Sequence, residues 1–138
     1  MIRDRNLKRK KHCIFSLCFH VIFVTKFRKH CLSPQILLNI IQTLPKIARE
    51  INIEVTEING ESDHIHFLLE ITPLDRLSSV IGILKAKLTK HLYSLFSFPY
   101  WGRCRRTLWS SGYYVASTGG VSIETLKKYI KDQGSDAA

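Results

Sequence analysis

Residues 53–71 read IEVTEINGESDHIHFLLEI, and this stretch decides the fold. Its apolar residues alternate in two short runs, which predicts one strand at residues 53–58 and a second at residues 64–71. The dipeptide Asn59-Gly60 between the runs is typical of a β-hairpin turn. The sequence therefore predicts an antiparallel hairpin near the middle of the chain.

The second strand of this hairpin carries two histidines, His64 and His66. Because successive side chains of a strand point to opposite faces, both imidazoles lie on one face, while Ile65 points to the other face and into a core. By itself such a pair is often no more than half-buried polar packing. Two imidazoles on one face nevertheless indicate a candidate metal site.

The flanking segments supply the rest of the fold. Ser33-Pro34 is a helix start, and Pro45 inside the following apolar pattern predicts a kink or an early end of that helix. Ser122 is a candidate cap for a last helix. The other predicted elements are a strand at 12–25, covered on both faces or paired across a dimer, a helix at 74–95 and a strand at 108–117.

The resulting order is β-α-β-β-α-β-α. It predicts an α+β fold of the ferredoxin-like or RRM-like type, with an antiparallel sheet, helices on one face and an added C-terminal helix. Trp109 and Tyr113 are predicted to be core or interface residues. The histidines outside the pair, His12, His20, His30 and His91, show no ligand spacing and are predicted to be structural or solvated.

Composition limits the function. The 138 residues form one domain by length, short enough that a homodimer is plausible, and 21 basic against 11 acidic residues give a net charge of +10. A polyanion is the expected partner, nucleic acid before an acidic membrane surface. Four cysteines without a C-x-x-C pair, and no secretory signal, predict reduced thiols in a cytoplasmic protein. The apolar run 14–24 is too short to span a membrane.

The last predicted helix carries Tyr129 and Gln133, four positions apart and therefore on one helix face. Alone, Tyr129 reads as a boundary aromatic residue and Gln133 as a solvated one. Together with His64 and His66 they sketch a phosphodiester-cutting site, in which a tyrosine attacks and an amide oxygen completes a set of neutral ligands for a divalent ion. A phosphotyrosine ester conserves bond energy for later rejoining, which suits strand transfer.

Ordered motifs carry a resemblance to the HUH tyrosine transposases of the insertion sequence 200/605 type, which move DNA as a single strand. The matching segments are FHVIFVTKFR at 19–28, DHIH at 63–66, LK at 84–85, LWSSGYY at 108–114, TG at 118–119 and YIKDQ at 129–133. The resemblance covers residues 12–134, which we predict to be the transposase catalytic domain. Residues 1–11 are predicted to be a basic N-terminal arm, mobile because it has little to bury, and 135–138 a short tail.

The resemblance implies the site and its partners. It makes Tyr129 the nucleophile that becomes bonded to the 5′ phosphate, and His64, His66 and Gln133 the ligands of Mg²⁺ or Mn²⁺. It implies single-stranded DNA with hairpin ends as the substrate, and a homodimer in which the tyrosine helix of one subunit can complete the site of the other. The glycines at 119–120 are a candidate hinge for that exchange, or an ordinary turn. An enzyme of this kind would act at the nucleoid of a bacterial or archaeal cell.

Basic residues outside this set are candidate DNA contacts. Arginines beside Tyr100 and Trp101 suit phosphate contacts and base stacking, whereas the lysines of the long helix equally fit a solvated face. The candidates are Lys85, Lys87, Lys90, Arg103, Arg105 and Arg106.

Two other functions remain open. One is a domesticated relative that processes repeated genomic hairpins, and the other is a non-catalytic RRM-like nucleic-acid-binding module, because the strand order is shared with such modules. An acidic-triad transposase is disfavoured, since no set of carboxylates has catalytic spacing.

Overall fold

The structure is a computed structural model that describes residues 8–10, 13–15, 17–98, 107–119 and 128. Its strands are β1 (Lys8–Lys10), β2 (Cys13–Phe15), β3 (Cys18–Val24), β4 (Glu54–Glu61), β5 (His64–Glu70) and β6 (Tyr114–Ser117). Its helices are α1 (Pro34–Glu50) and α2 (Leu77–Leu95), and a 3-10 turn spans Lys26–Arg28.

Four of these strands form the central sheet in the order β4-β5-β3-β6, and every pairing is antiparallel. From β3 to β6 the element order is β-α-β-β-α-β, so the predicted α+β class is confirmed. Strand β3 lies between β5 and β6. Its side chains are mostly apolar because both of its edges are hydrogen-bonded to neighbouring strands and both of its faces bury side chains.

The two helices pack on one face of the sheet. Phe23 and Phe67 point to this face and meet edge to face, with ring centroids 5.3 Å apart. They join one hydrophobic core with Leu44 of α1 and Leu84 of α2. Trp109 belongs to the same core, as predicted, and Tyr113 packs against it. His64 and His66, which alternate with Ile65 and Phe67 along β5, therefore lie on the opposite face of the sheet.

Helix α1 begins as predicted. Ser33 is its N-cap, because the side-chain oxygen accepts a hydrogen bond from Ile36 N at 3.3 Å. Of the two alternatives predicted at Pro45, an early end does not occur, since the helix continues to Glu50. Proline removes one intrahelical hydrogen bond, but Leu44, Ile47 and Ala48 around it are buried in the core, and this packing keeps the last turns helical.

The predicted hairpin exists, but its turn is not at Asn59-Gly60. Both residues lie in β4, paired with His66 and Ile65, and the turn is Ser62-Asp63. A bulge between Thr56 and Asn59 shifts the register of β4 and keeps these residues in the strand. A glycine is needed at this position for another reason: a Cβ on Gly60 would lie 2.6 Å from the carbonyl oxygen of His64.

The predicted strand at 12–25 is divided. Strand β2 pairs with β1 in a separate two-stranded sheet, whereas β3 belongs to the central sheet. Strand β3 begins where its partner β5 ends, because Cys18 pairs with Glu70. Within the predicted basic arm, Lys8–Lys10 form β1.

The predicted strand at 108–117 is shortened to β6. Before β6 the chain meets the end of β3 through a single bridge between Thr25 and Trp109. The Lys85 ammonium donates to the carbonyl oxygens of Ser110 and Gly112 at 2.6 and 3.0 Å. These carbonyls are thereby bound to α2, so they are not available for a regular strand ladder.

Helix α2 begins at Leu77 rather than at residue 74, and it buries Val80, Ile81, Leu84, Leu88 and Leu92, while Leu95 at its end is exposed. The predicted last helix and the tail lie outside the described residues, apart from Lys128, which is helical. Within the described ranges, no helix has the length and apolar character needed to cross a membrane.

Candidate metal and DNA-cleavage site

The histidine pair lies on the sheet face opposite the helices. His64 and His66 are half-buried, and Ile65 between them is buried in the core on the other side. Their rings are nearly parallel, with centroids 6.0 Å apart and an interplanar angle of 23°. The prediction that both imidazoles share one face is confirmed.

Apolar side chains lie beside the histidine pair. Ile22 and Val24 of β3 pair with His66 and His64, and both are fully or almost fully buried, with Tyr114 packed against them. Antiparallel partners point to the same face of a sheet, so these side chains stand beside the imidazoles. Charges beside such a dry surface interact more strongly than in bulk water.

A buried carboxylate adjoins His64. Asp63 Oδ1 lies 2.9 Å from His64 Nδ1, and Asp63 Oδ2 accepts hydrogen bonds from Arg28 Nε at 3.1 Å and Arg28 Nη2 at 2.9 Å. Both carboxylate oxygens are thus engaged, one by the imidazole and one by the guanidinium. The three side chains form a chain from Arg28 through Asp63 to His64.

These contacts set the charge of Asp63. Burial by itself raises the pKa of this carboxyl, but hydrogen bonds and positive charge from His64 and Arg28 outweigh burial and hold its pKa below the usual value. The carboxylate is therefore ionised at neutral pH. An ionised carboxylate accepts only, so the bond to His64 places a proton on Nδ1.

The remaining ring nitrogen of His64 is suited to a metal. With a proton on Nδ1, neutral His64 carries its lone pair on Nε2. This Nε2 is buried and meets no hydrogen-bond partner among the residues that the structure describes. A buried, unsatisfied nitrogen with its other nitrogen bound to a carboxylate is the arrangement found at metal-ligating histidines. The residues present fit a divalent ion at this position.

An acidic cluster on the other side of the ring offers a different position. Glu61, Asp63 and His64 Nδ1 lie close enough to share an ion, with Glu61 Oε2 3.8 Å from His64 Nδ1. However, Asp63 already accepts from Arg28 and His64, and Glu61 is largely exposed. An ion there would compete with the guanidinium for Asp63. We therefore assign the candidate metal position to the Nε2 side.

Other sequence-predicted site residues fall partly outside the described chain. Tyr129 and Gln133 lie outside the described residues, as do Arg103, Arg105 and Arg106. The placement of Tyr129 and Gln133 beside the histidine pair therefore stays a prediction, as does DNA contact by the three arginines.

The three lysines predicted as DNA contacts have different surroundings. Lys85 is bound to the carbonyl groups of Ser110 and Gly112, so part of its role is structural. Lys87 forms a surface ion pair with Glu50 at 3.6 Å, a contact of small energetic value. Lys90 lines a groove of about 580 Å³ between α2 and residues 107–111. Contact of these lysines with DNA remains a prediction.

Two other histidines have structural roles, as predicted. His91 Nε2 lies 2.9 Å from Asn39 Oδ1 and connects α2 to α1, and His30 contacts the Ser62 hydroxyl. His20 stands on the same face as His66, and both line a cavity of about 270 Å³ beside the bulge of β4. Within that bulge Glu57 has a left-handed backbone with φ of 49°.

Two described cysteines behave as predicted. Cys18 and Cys31 are free thiols, and burial raises the pKa of each, with the carboxylates of Glu70 and Glu57 adding to the rise at Cys18. Both thiols are therefore protonated at neutral pH and poorly reactive.

Sequence reasoning missed the role of Arg28 and Asp63. Both residues stand in segments that carry the resemblance, FHVIFVTKFR and DHIH. The signal for Asp63 was its position directly before His64. Nothing in the sequence links Arg28 to Asp63, which is 35 positions away, because their contact depends on the pairing of β3 with β5.

Comparisons with known proteins identify the family of the chain. The family model "Transposase IS200 like" matches residues 13–133. The chain is 32% identical over 126 residues to the transposase for insertion sequence element IS200 of Salmonella typhimurium, covering 91% of this chain and 82% of that protein. It is 24% identical over 136 residues to the ISDra2 transposase TnpA of Deinococcus radiodurans, covering 96% and 95%.

Solved structures share the fold. A crystal structure of a Deinococcus radiodurans R1 protein provisionally assigned as a transposase superposes with a TM-score of 0.77 at 26% identity, covering 91% of this chain and 97% of that one. A REP-associated tyrosine transposase bound to a REP hairpin has a TM-score of 0.53 at 13% identity, covering 92% and 74%, and this likeness shows the fold alone. The extent of the family match, with the relative at 32% identity, decides the assignment. The chain belongs to the IS200-like transposase family.

Proposed function

We propose that this protein is a single-strand DNA transposase that cleaves and rejoins DNA at hairpin-bearing element ends through a 5′-phosphotyrosine intermediate. The observation that carries the proposal is the buried Nε2 of His64, whose Nδ1 contacts Asp63 and whose ring lies beside that of His66, in a chain of the transposase family. Family membership indicates DNA cleavage, and the histidine pair supplies a place for it.

In this proposal His64, His66 and Gln133 hold Mg²⁺ or Mn²⁺. Neutral nitrogen and amide oxygen ligands leave the ion most of its charge, and a bound ion would neutralise the phosphate and favour in-line attack. Three protein ligands also leave positions open for phosphate oxygens and water. The buried apolar side chains of Ile22 and Val24 beside the pair strengthen this electrostatic effect.

Tyr129 is the proposed nucleophile. Its phenol loses a proton to water as its oxygen attacks the scissile phosphorus. The bond to the 3′ oxygen breaks, and the strand leaves with a free 3′ hydroxyl after that oxygen takes up a proton from water. The 5′ end stays esterified to Tyr129. Attack by another 3′ hydroxyl reverses the step and joins two ends without outside energy, which is what transposition of a single strand requires.

The substrate follows from charge and family. A net charge of +10 on 138 residues favours a polyanion, and the predicted contacts at Lys85, Lys87, Lys90 and the arginines at 103, 105 and 106 would bind phosphates. We propose that the protein acts on the cell's own DNA, in the cytoplasm or nucleoid. No small-molecule substrate is part of the proposal.

The covalent step has a direct test. The protein is incubated with single-stranded DNA carrying the hairpin of its own element end, with Mg²⁺, and then denatured. We expect a DNA-protein adduct that resists denaturation and disappears in the Tyr129→Phe variant. Tyr113→Phe is the matched control, because Tyr113 packs against the core. An adduct that survives Tyr129→Phe would refute the assignment of the nucleophile.

We also propose a homodimer in which the tyrosine helix of one subunit completes the histidine site of its partner. The support is the small size of the chain together with Gly119, which lies two positions after the end of β6 and precedes the predicted catalytic helix. Mixing His64→Ala with Tyr129→Phe protein tests this directly, since a shared site restores one functional centre per mixed dimer. Light scattering that gives a stable monomer at micromolar concentration would contradict the shared site and favour a hairpin-processing relative that acts alone.

A non-catalytic RRM-like module is the alternative function. Such modules stack bases on aromatic side chains of the open sheet face, and Tyr114 stands on that face beside Ile22. The histidines occupy neighbouring positions of the same face and carry the buried unsatisfied nitrogen. Absence of divalent-ion binding, with no effect of His64→Ala on any activity, would favour the module.

A further inference from the structure

We propose that Arg28 and Asp63 are positioning residues for the metal site: Asp63 fixes the tautomer and ring orientation of His64, and Arg28 holds the Asp63 carboxylate in place. This inference rests on the proposed metal site at His64 and His66. In that proposal Arg28 and Asp63 touch neither DNA nor metal, and they act only by positioning His64.

The hydrogen-bond pattern carries the first step. Asp63 is buried and its carboxylate is shared between two partners, with Oδ1 at the His64 imidazole and Oδ2 at two donors of Arg28. Neutral imidazole in water prefers its proton on Nε2, which would block metal binding at that atom. The bond to Asp63 reverses this preference, and it also prevents rotation of the ring.

The backbone around Arg28 carries the second step. Phe27 and Arg28 have φ of 56° and 52°, a left-handed region that non-glycine residues rarely occupy. Two such residues in succession are costly unless the surroundings stabilise them. The turn is held by hydrogen bonds from Arg28 N to Thr25 O at 2.9 Å and from Thr25 N to Asp63 O at 2.9 Å. The strained turn is thus bonded to the hairpin turn of β4 and β5.

The result of that strain is the position of the guanidinium. Without this left-handed turn, the backbone after β3 would not direct the side chain of residue 28 toward Asp63. Here both Nε and Nη2 reach one carboxylate oxygen. An arginine donates from fixed directions and keeps its charge at any physiological pH, so it suits this task better than a lysine.

Arg28 has a second consequence for the site. Because its guanidinium occupies Asp63 Oδ2, Asp63 is disfavoured as a direct ligand in the acidic cluster with Glu61. Arg28 thereby directs a cation toward Nε2 of His64, on the face shared with His66. A carboxylate–histidine pair of this type commonly changes metal affinity by about 10- to 100-fold when the carboxylate is removed.

The first measurement is the His64 tautomer, read from ¹⁵N-labelled imidazole by NMR without metal. We expect the Nδ1–H form in the wild type, a shift toward the Nε2–H form in Asp63→Ala, and retention of the Nδ1–H form in Lys87→Met. Lys87 is the control because its ion pair with Glu50 lies at the surface and involves neither Asp63 nor His64. An unchanged tautomer in a folded Asp63→Ala protein would overturn the inference.

The second measurement is Mn²⁺ affinity of the free protein, followed by electron paramagnetic resonance. We expect the dissociation constant to rise about 10- to 100-fold in Asp63→Ala, and to rise less in Arg28→Lys, which keeps the charge but loses the paired donors. If Asp63→Ala fails to fold, as judged by circular dichroism, Arg28→Lys and Asp63→Asn provide the comparison. Asparagine can still accept from His64 but cannot attract Arg28 by charge, so an intermediate loss is expected.

Failure of this inference differs from failure of the proposed function. A wild type that shows the Nδ1–H tautomer and binds no Mn²⁺ would contradict the metal site while supporting the orientation of His64 by Asp63. Equal Mn²⁺ affinity in wild type, Asp63→Ala and Arg28→Lys would overturn the inference and leave the metal site standing.

Discussion

Replacing Gly60 by alanine should damage the hairpin that carries the histidines. A Cβ at this position would lie 2.6 Å from the His64 carbonyl oxygen, 3.0 Å from Ile65 Cγ2 and 3.1 Å from Leu37 Cδ2. The nearest of these atoms belongs to the backbone, which cannot move aside as a flexible side chain can. Strand β4 must therefore separate from the hairpin turn, or α1 must shift away from the sheet.

The expected loss follows from overpacking, which usually lowers the free energy of unfolding by about 1–3 kcal/mol. For a chain of this size that corresponds to a fall in melting temperature of roughly 3–12 °C. Gly82→Ala is the matched control, because a Cβ there meets nothing within 4 Å and the residue lies inside α2. Alanine in a helix interior should instead raise the free energy of unfolding by about 0.5–1 kcal/mol.

Urea unfolding followed by circular dichroism measures both variants. The clash at His64 should also weaken Mn²⁺ binding in Gly60→Ala and leave Gly82→Ala unchanged. The reasoning would be refuted by a Gly60→Ala protein that is as stable as Gly82→Ala. Such a result would mean that β4 approaches β5 less closely than the structure describes.

Three further predictions concern helix α1, the buried carboxylate and the lysine of α2. Pro45→Ala should raise the free energy of unfolding by about 1–2 kcal/mol in urea titrations, because alanine restores an intrahelical hydrogen bond. The gain is reduced because the unfolded chain is less restricted without the proline. No gain would mean that the helix has adapted fully to the proline. Asp63 has a lowered pKa, so its stabilisation is complete above the unfolded carboxyl pKa of about 3.9 and is lost as the pH falls through its folded pKa. The difference in unfolding free energy between wild type and Asp63→Asn should thus be constant above about pH 5 and shrink below pH 4, and a constant difference down to pH 2 would contradict the assignment. Lys85→Met should lower the free energy of unfolding by about 1–3 kcal/mol, because two carbonyl groups lose a charged donor, whereas Lys87→Met should change it by less than about 1 kcal/mol. Equal effects of the two lysine changes would argue against a structural role for Lys85.

The sequence predicted the element order from β3 to β6 and the shared face of His64 and His66, because both follow from local periodicity. Alternation in β5 and the apolar spacing of α2 were read correctly to within a few residues. Local rules failed where a distant group decides the outcome. Asn59-Gly60 is a strong turn signal, yet the bulge of β4 places the turn at Ser62-Asp63, where Arg28 binds the carboxylate.

Sequence patterns also do not show where a continuous apolar run passes from one sheet to another. The apolar run at 12–25 looks continuous, but β3 can begin only where β5 and β6 offer hydrogen bonds. In the same way, Lys85 reads as a solvated helix residue until its ammonium is seen at two carbonyl oxygens before β6. Tyr129 and Gln133 were identified through the resemblance, and their position relative to His64 and His66 remains a prediction.

The most direct test of the account is an anomalous-difference map from crystals grown with Mn²⁺. The account predicts a peak at coordination distance, about 2.0–2.4 Å, from Nε2 of His64 and from the His66 ring, with Asp63 still bound to Nδ1 of His64. A peak between Glu61, Asp63 and Nδ1 of His64, with the Arg28 contact broken, would contradict it. So would a map without any peak at the histidine pair.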